Sequence, residues 1–231
     1  MGRLNSFLIT ISETYPARGL RCLGVRIKYL SHSGFELKNG KTILIDPYFA
    51  GNPMAPRYAG KPDLVLVTHE HGDHADSSFL NRVGCPIVCP PSCRFRGAEV
   101  MRVGERKTFA GIEVEMIPAS HKRPPASPSP LAAGYIVEFE RGRIAHLGDT
   151  YLDGVKPLQD IDVLLIPIGG YFTMNTDEAV EALKIIKPKL AIPMHYGTFS
   201  QIEADPAEFE AKADKAGFKV RVLEVGEELQ L

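Results

Sequence analysis

The sequence has no tryptophan, only four cysteines, and a net charge of −1 over 231 residues. Each shortage removes a class of function. Near-neutrality gives no field for nucleic acid or an anionic membrane, so neither partner is expected. No apolar run approaches the roughly 20 residues that a membrane span needs. No G-x-G-x-x-G follows the first patterned strand, which argues against a dinucleotide-binding unit. Cys22, Cys85, Cys89 and Cys93 form no C-x-x-C pair. Cys85 and Cys89 bracket an apolar Pro-Ile-Val strand, so free buried thiols are expected, with a disulfide among the last three as the alternative. Free thiols suit a reducing cytoplasm. The apolar piece Phe7–Ile11 is short and no small-residue cleavage site follows, so no signal peptide is expected.

What is present reads as one globular domain, with 44% hydrophobic and 24% charged residues. Regular patterning begins only at Val25. Residues 1–24 are therefore expected to be a peripheral extension, and residues 25–231 the domain.

One stretch organises the chain: Leu64-Val-Leu-Val-Thr-His69-Glu-His71-Gly-Asp73-His74-Ala-Asp76. Four apolar residues predict a buried strand, and Thr68 ends it. Three histidines and Asp73 crowd into the next six positions. Neutral imidazoles and carboxylates are the donors of zinc and its first-row neighbours. Residues two apart in extended backbone point the same way, so His69 and His71 can hold one ion from one side. Asp73 and His74 follow the turn at Gly72, at the start of a helix predicted over Ala75–Val83, and face a second ion. The competing reading is a polar loop whose Asp73 or Asp76 caps that helix; it accounts for one carboxylate but not for three histidines.

Thr68-His-Glu-His-Gly-Asp-His74 resembles the HxHxDH signature of the metallo-β-lactamase superfamily. The remaining chemistry-bearing residues stand just past predicted strands. Val25–Leu30, Phe35–Lys38 and Thr42–Ile45 read as a β-meander, with a hairpin turn at Asn39-Gly40. His32 lies in its first turn, as a surface residue or as a substrate contact or proton donor in the pocket. Asp46 ends the third strand, as a turn residue or as the orienter of a ligand histidine. Gly111–Ile117 alternates as a strand and delivers His121, the third ligand for the first ion. Residues 122–133 carry four prolines and predict a stiff loop, either a connector or a lid whose Lys122 and Arg123 meet an anionic group. His146 lies inside a strand and is read as core or as support, not as a ligand. A helix is expected from a cap at Asn175 or Thr176 through Lys187, another over Pro206–Gly217, and a closing strand over Lys219–Leu223.

The resemblance spans about Val25–Leu231 and is strongest to small metal-dependent hydrolases related to ascorbate-6-phosphate lactonase. Ser31–Phe35, Gly169–Met174 and Pro193–Phe199 carry that likeness; Asn175 departs from it, where aspartate is the more usual residue. It implies an α/β (α+β) fold, a four-layer αββα sandwich of two mixed sheets flanked by helices. His69, His71 and His121 would hold one divalent cation, and Asp73, His74 and His195 the other. Asp149, after Gly148, would bridge them. Two Zn2+ are expected, with Mn2+ or Fe2+ as alternatives. A metal-bridging hydroxide would attack an ester, lactone or phosphoester of a small, anionic substrate. Asp73 would orient the nucleophile, and Tyr196 or His32 would donate a proton. The alternatives are a phosphodiesterase or nuclease on the same fold, a di-iron redox enzyme, and a non-catalytic metal-binding protein. Oligomeric state is left open, a homo-oligomer included.

Overall fold

The computed structural model describes residues 9–10, 22–123, 127–129 and 132–231. The expected extension over 1–24 falls almost wholly outside them. So do the side chains of Lys122 and Arg123, and with them the expected anion contact.

The chain opens with β1 (Ile9–Thr10), β2 (Arg26–Tyr29), β3 (Phe35–Asn39), β4 (Lys41–Ile45) and β5 (Leu64–Leu66). A short helix α1 (Ser77–Leu80) precedes β6 (Ile87–Cys89) and β7 (Glu99–Val100). Then come β8 (Arg106–Phe109), β9 (Ile112–Pro118), β10 (His121–Arg123) and β11 (Ser127–Ser129). A hairpin of β12 (Ala133–Phe139) and β13 (Gly142–His146) leads to β14 (Val163–Pro167) and α2 (Thr176–Ile186). The chain ends through β15 (Leu190–Met194), α3 (Pro206–Lys215) and β16 (Glu228–Gln230).

Two sheets result. One runs β1-β16-β2-β3-β4-β5-β6-β7 and the other β15-β14-β13-β12-β9-β8. Both are mixed. β4, β5 and β6 run parallel in the first, as do β13, β14 and β15 in the second. Period-two alternation sorts side chains to the two faces of each sheet. Ile43, Ile45, Leu64 and Leu66 join Val163, Leu165, Ile192 and Met194 in the core between the sheets. Leu44, Val65 and Val67 turn outward to the cluster beside α1. Leu164 and Ile166 meet Ala179, Leu183 and Phe209 of α2 and α3. Helices thus cover the outer faces, as the expected αββα sandwich requires. No helix among the described residues is long and apolar enough to cross a membrane.

Both long helices begin as their sequences dictate. Asn175 caps α2 in a reciprocal box with Glu178, and Lys187 ends it in the left-handed region before Pro188. Asp205 caps α3, with Pro206 in its first turn.

Three expectations are corrected. The helix after the histidine motif starts late, because the Asp76 side chain accepts from Phe79 N at 3.0 Å and so caps at position 76. It is a single turn rather than Ala75–Val83. Lys219–Leu223 is not a strand: it touches β15 at one bridge, Ala191–Val220. Val220 packs on the helix-covered side and Leu223 in the core between the sheets, so the segment crosses the sheet edge instead of extending it. The closing strand is β16. Within the expected loop, His121–Arg123 and Ser127–Ser129 pair as a two-stranded antiparallel ribbon, with Pro128 opposite Lys122. Proline is tolerated there because both strands of a ribbon are edges.

Tyr135 ties the two sheets together. Its hydroxyl, fully buried on β12, donates to Val67 O at 2.8 Å and lies 3.3 Å from Val88 O on the opposite sheet. Tyr135→Phe keeps the ring and removes only this tie. Urea unfolding is expected to show a loss of about 1 kcal/mol at unchanged m-value. An unmoved midpoint would mean the hydroxyl contributes nothing.

Candidate metal centre

Parallel strands place their carboxyl ends on one edge, where the chain must leave the sheet. Asp46 leaves β4 there, Thr68 and His69 follow β5, Asp149 follows β13, and His195 follows β15. His121 opens β10 just after β9. His32 arrives from the turn between β2 and β3, its carbonyl accepting His195 N–H at 2.8 Å. His32 and His195 have φ of 56° and 55°, and Asp46 has 45°. Non-glycine residues held in the left-handed region cost energy that the surroundings must supply, a strain found at functional sites. Gly169 lets two turns close together: a Cβ on it would lie 2.1 Å from His195 O.

Three groups form. His69 Nε2 lies 2.9 Å from His71 Nδ1, which lies 3.3 Å from His121 Nε2. Tetrahedral ligands with zinc–nitrogen bonds of about 2.0–2.1 Å stand about 3.3 Å apart, so this spacing fits one cation. His32, Asp73, His74 and His195 form the second group, with one donor atom from each all within 4.8 Å of one another. The third group is Asp149 with His69 and His74. Asp149 Oδ1 is 3.3 Å from His74 Nε2, and its Oδ2 is 3.1 Å from His195 Nε2. The same Oδ2 is 3.9 Å from His121 Nδ1 and 4.0 Å from His69 Nε2.

A ring of oxygens orients the imidazoles. Asp46 accepts from Thr68 N at 2.8 Å, from Thr68 Oγ1 at 2.7 Å and from His74 Nδ1 at 2.7 Å. Thr68 Oγ1, its proton given to Asp46, accepts from His69 Nδ1 at 3.1 Å. His32 Nδ1 lies 2.6 Å from Thr198 Oγ1. In all three rings Nδ1 is tied to an oxygen and Nε2 is turned inward. His146 does a different job. Its Nε2 donates to Ser33 O at 2.9 Å, and its Nδ1 accepts Gly148 N–H at 3.1 Å, which fixes the residue before Asp149.

Burial shapes the charges. It drives the His69 and His121 imidazoles below the usual range and His32 down to about 4, with nearby His195 adding to the last. His74 is the exception: burial opposes its charge, but Asp149 and then Asp46 outweigh it and hold the imidazole well above the usual range. Asp149 stays well below the ordinary carboxylate range despite burial, because His195 and His74 face it. Burial likewise opposes the Asp73 charge, and His32 and His74 overcome it.

Among the described residues, seven buried side-chain polar atoms lack a hydrogen-bond partner, and five of them are here: His32 Nε2, His74 Nε2, His121 Nδ1, Asp149 Oδ1 and His195 Nδ1. Several of these lie within ion-pair distance of an opposite group yet are misaligned for a hydrogen bond. Clustered orphans of this kind are costly unless a cation unites them. The donor set therefore fits bound metal.

All seven residues expected as ligands come together at this edge. Tyr196 does not join them: its ring packs against the cluster beneath α2 and α3, and burial pushes its hydroxyl up to about 12. His32 is fully buried inside the site, not a surface turn residue. The orienting parts of Thr68 and Thr198 emerge only from the structure. Thr68 carried a local signal, a hydroxyl directly before His69. Thr198 carried none, since 166 residues separate it from His32.

Known proteins agree with this picture. A family model described as a beta-lactamase superfamily domain matches residues 26–195. The chain is similar to a UPF0173 metal-dependent hydrolase of Methanopyrus kandleri, with 38% identity over 226 residues covering 88% of this chain and 98% of the relative. A UPF0173 metal-dependent hydrolase of Pyrococcus abyssi is 39% identical over 226 residues, covering 90% of this chain and 100% of the relative. Among solved structures, Igni18, a metallo hydrolase from Ignicoccus hospitalis, superposes with a TM-score of 0.76 at 30% identity, covering 88% of this chain and 97% of that one. The likeness extends over nearly the whole length of each relative and takes in every strand end that carries a histidine of the centre, and the chain belongs to the metallo-β-lactamase superfamily.

Proposed function

We propose that this chain is a dinuclear metal-dependent hydrolase acting on an ester, lactone or phosphoester of a small, anionic substrate. The observation that carries it is Asp149, whose carboxylate lies within 4.0 Å of a nitrogen of His69, His74, His121 and His195. It stands between the two histidine groups. His69, His71 and His121 would hold one divalent cation, and Asp73, His74 and His195 the other, with Asp149 shared. The names of the relatives, metal-dependent hydrolases, support the same reading. Zinc suits the three-imidazole group, and Mn2+ or Fe2+ also fits mixed imidazole and carboxylate donors.

When bound, such a pair supplies Lewis acidity and a hydroxide nucleophile at neutral pH. The protein's own residues do the rest. Two divalent charges against Asp73 and Asp149 leave a positive pocket, which favours an anionic head and the oxyanion of a transition state. Asp73, whose side chain is 28% exposed, faces the opening and orients the attacking water. Neither His32 nor Tyr196 is given the proton-donating role. His32 is buried and carries no extra proton near neutrality. Tyr196 packs among apolar residues. Four free thiols support a reducing, cytoplasmic setting.

Metal-loaded protein screened against lactones, carboxylic esters, thioesters and phosphodiesters is expected to hydrolyse one class. Chelation should abolish the activity and added cation restore it. His69→Ala and His121→Ala should each lower kcat/KM by about 100-fold or more. Turnover confined to phosphodiesters would favour the phosphodiesterase alternative, and cation binding without turnover would leave a metal-binding protein.

His74 generates a second prediction. Its imidazole is held charged in the metal-free protein, whereas a ligand must be neutral. Cation uptake at pH 7 should therefore release about one proton per chain, and apparent affinity should fall as pH is lowered. Calorimetry in buffers of different ionisation enthalpy measures this. Proton-neutral binding at pH 7 would contradict the His74 assignment.

A further inference from the structure

We infer that His32 is an additional ligand of the second cation, beyond the three residues and the shared Asp149 assigned to it above. The inference rests on the two-cation reading. It begins from position: His32 is fully buried, and its Nε2 lies 3.3 Å from Asp73 Oδ2. Donor atoms of His32, Asp73, His74 and His195 all fall within 4.8 Å of one another. No other group of candidate donors among the described residues has four members.

The tautomer gives the direction. His32 Nδ1 lies 2.6 Å from Thr198 Oγ1. The ring is thus built as His74 is on Asp46 and His69 is on Thr68, with Nδ1 tied outward and Nε2 turned to the centre. An Nδ1–H given to Thr198 leaves a lone pair on Nε2. That lone pair would face a carboxylate oxygen at 3.3 Å, two acceptors with nothing to share. A cation between them removes the conflict. In the other tautomer Nε2–H would point at Asp73 Oδ2 at 3.3 Å, a long contact that helps hold the Asp73 charge but is too poorly aligned to satisfy the buried Nε2.

The ring is also rigidly held, as a ligand must be. Its carbonyl takes His195 N–H at 2.8 Å and its ring tilts onto His195 with centroids 4.2 Å apart. Tyr48 and Phe199 meet it edge-on at 5.7 and 5.4 Å. The two cation groups then differ in kind. One is three imidazoles; the other is three imidazoles and a carboxylate.

The test is Zn2+ titration of the metal-free full-length chain by calorimetry, beside cobalt substitution with NMR of the hyperfine-shifted ring N–H protons. Wild type should bind two cations. His32→Gln should bind the first with unchanged affinity and the second about 10- to 100-fold more weakly, and one shifted N–H signal should vanish. Thr198→Val, which keeps the imidazole, should weaken the second cation less and retain that signal at an altered position. His32→Gln keeps an amide able to donate to Asp73, so a residue that merely positioned Asp73 would be rescued by it. Wild type binding two cations with His32→Gln indistinguishable from it would overturn the inference alone. Wild type binding fewer than two would overturn both the inference and the two-cation reading.

Discussion

A buried carboxylate facing four imidazoles from three separate segments of the chain is the contact on which the site depends. Asp149 is 2% exposed, as deep as the core around it. Its charge is held by His195 and His74 rather than by water. Those rings come from the ends of β5 and β15, on opposite sheets. The carboxylate therefore joins the two sheets at their common edge, and it does so with polar atoms that only partly satisfy one another. A cation turns that cost into a bonded centre, because lone pairs that repel in its absence converge on it when it binds.

Around this contact lies a shell of oxygens whose task is orientation. Asp46 and Thr68 act as one unit, with the threonine hydroxyl passing from the carboxylate to His69 while the same carboxylate holds His74. Thr198 does for His32 what Asp46 does for His74. His146 acts on the backbone before Asp149. Every histidine of the chain is thus used at this one edge, five in the expected cation groups, one beside them, and one beneath. An imidazole fixed at Nδ1 presents a single lone pair in a single direction, which is what a preorganised cation site requires.

Local pattern revealed much of this. The alternation of Val25–Leu30, the buried run Leu64–Val67 and the capped helix after Asn175 are all local signals, and the structure keeps them. The failures share a cause. Asp76 could be read as helix interior or as cap, and only its bonds to Phe79 N and Ala50 N decide between them. Lys219–Leu223 alternates like a strand, but it meets β15 at a single residue. Prolines after His121 argue against an inner strand, yet Pro128 sits in a two-stranded ribbon, which has no inner strand. In each case the deciding partner lies elsewhere in the chain.

The sequence by itself determined which residue types could bind metal and that each stands just past a strand. This follows because spacing, strand periodicity and the donor chemistry of histidine and aspartate are local properties. It also determined the superfamily, through the run from His69 to His74 and its distant companions. Only the tertiary structure decided that His32 lies inside the cluster while Tyr196 packs against the apolar cluster beneath α2 and α3, and which oxygen orients which ring. Those facts depend on Thr198 reaching across 166 residues to His32 and on two sheets ending at one edge, and no local pattern encodes the meeting of segments so far apart.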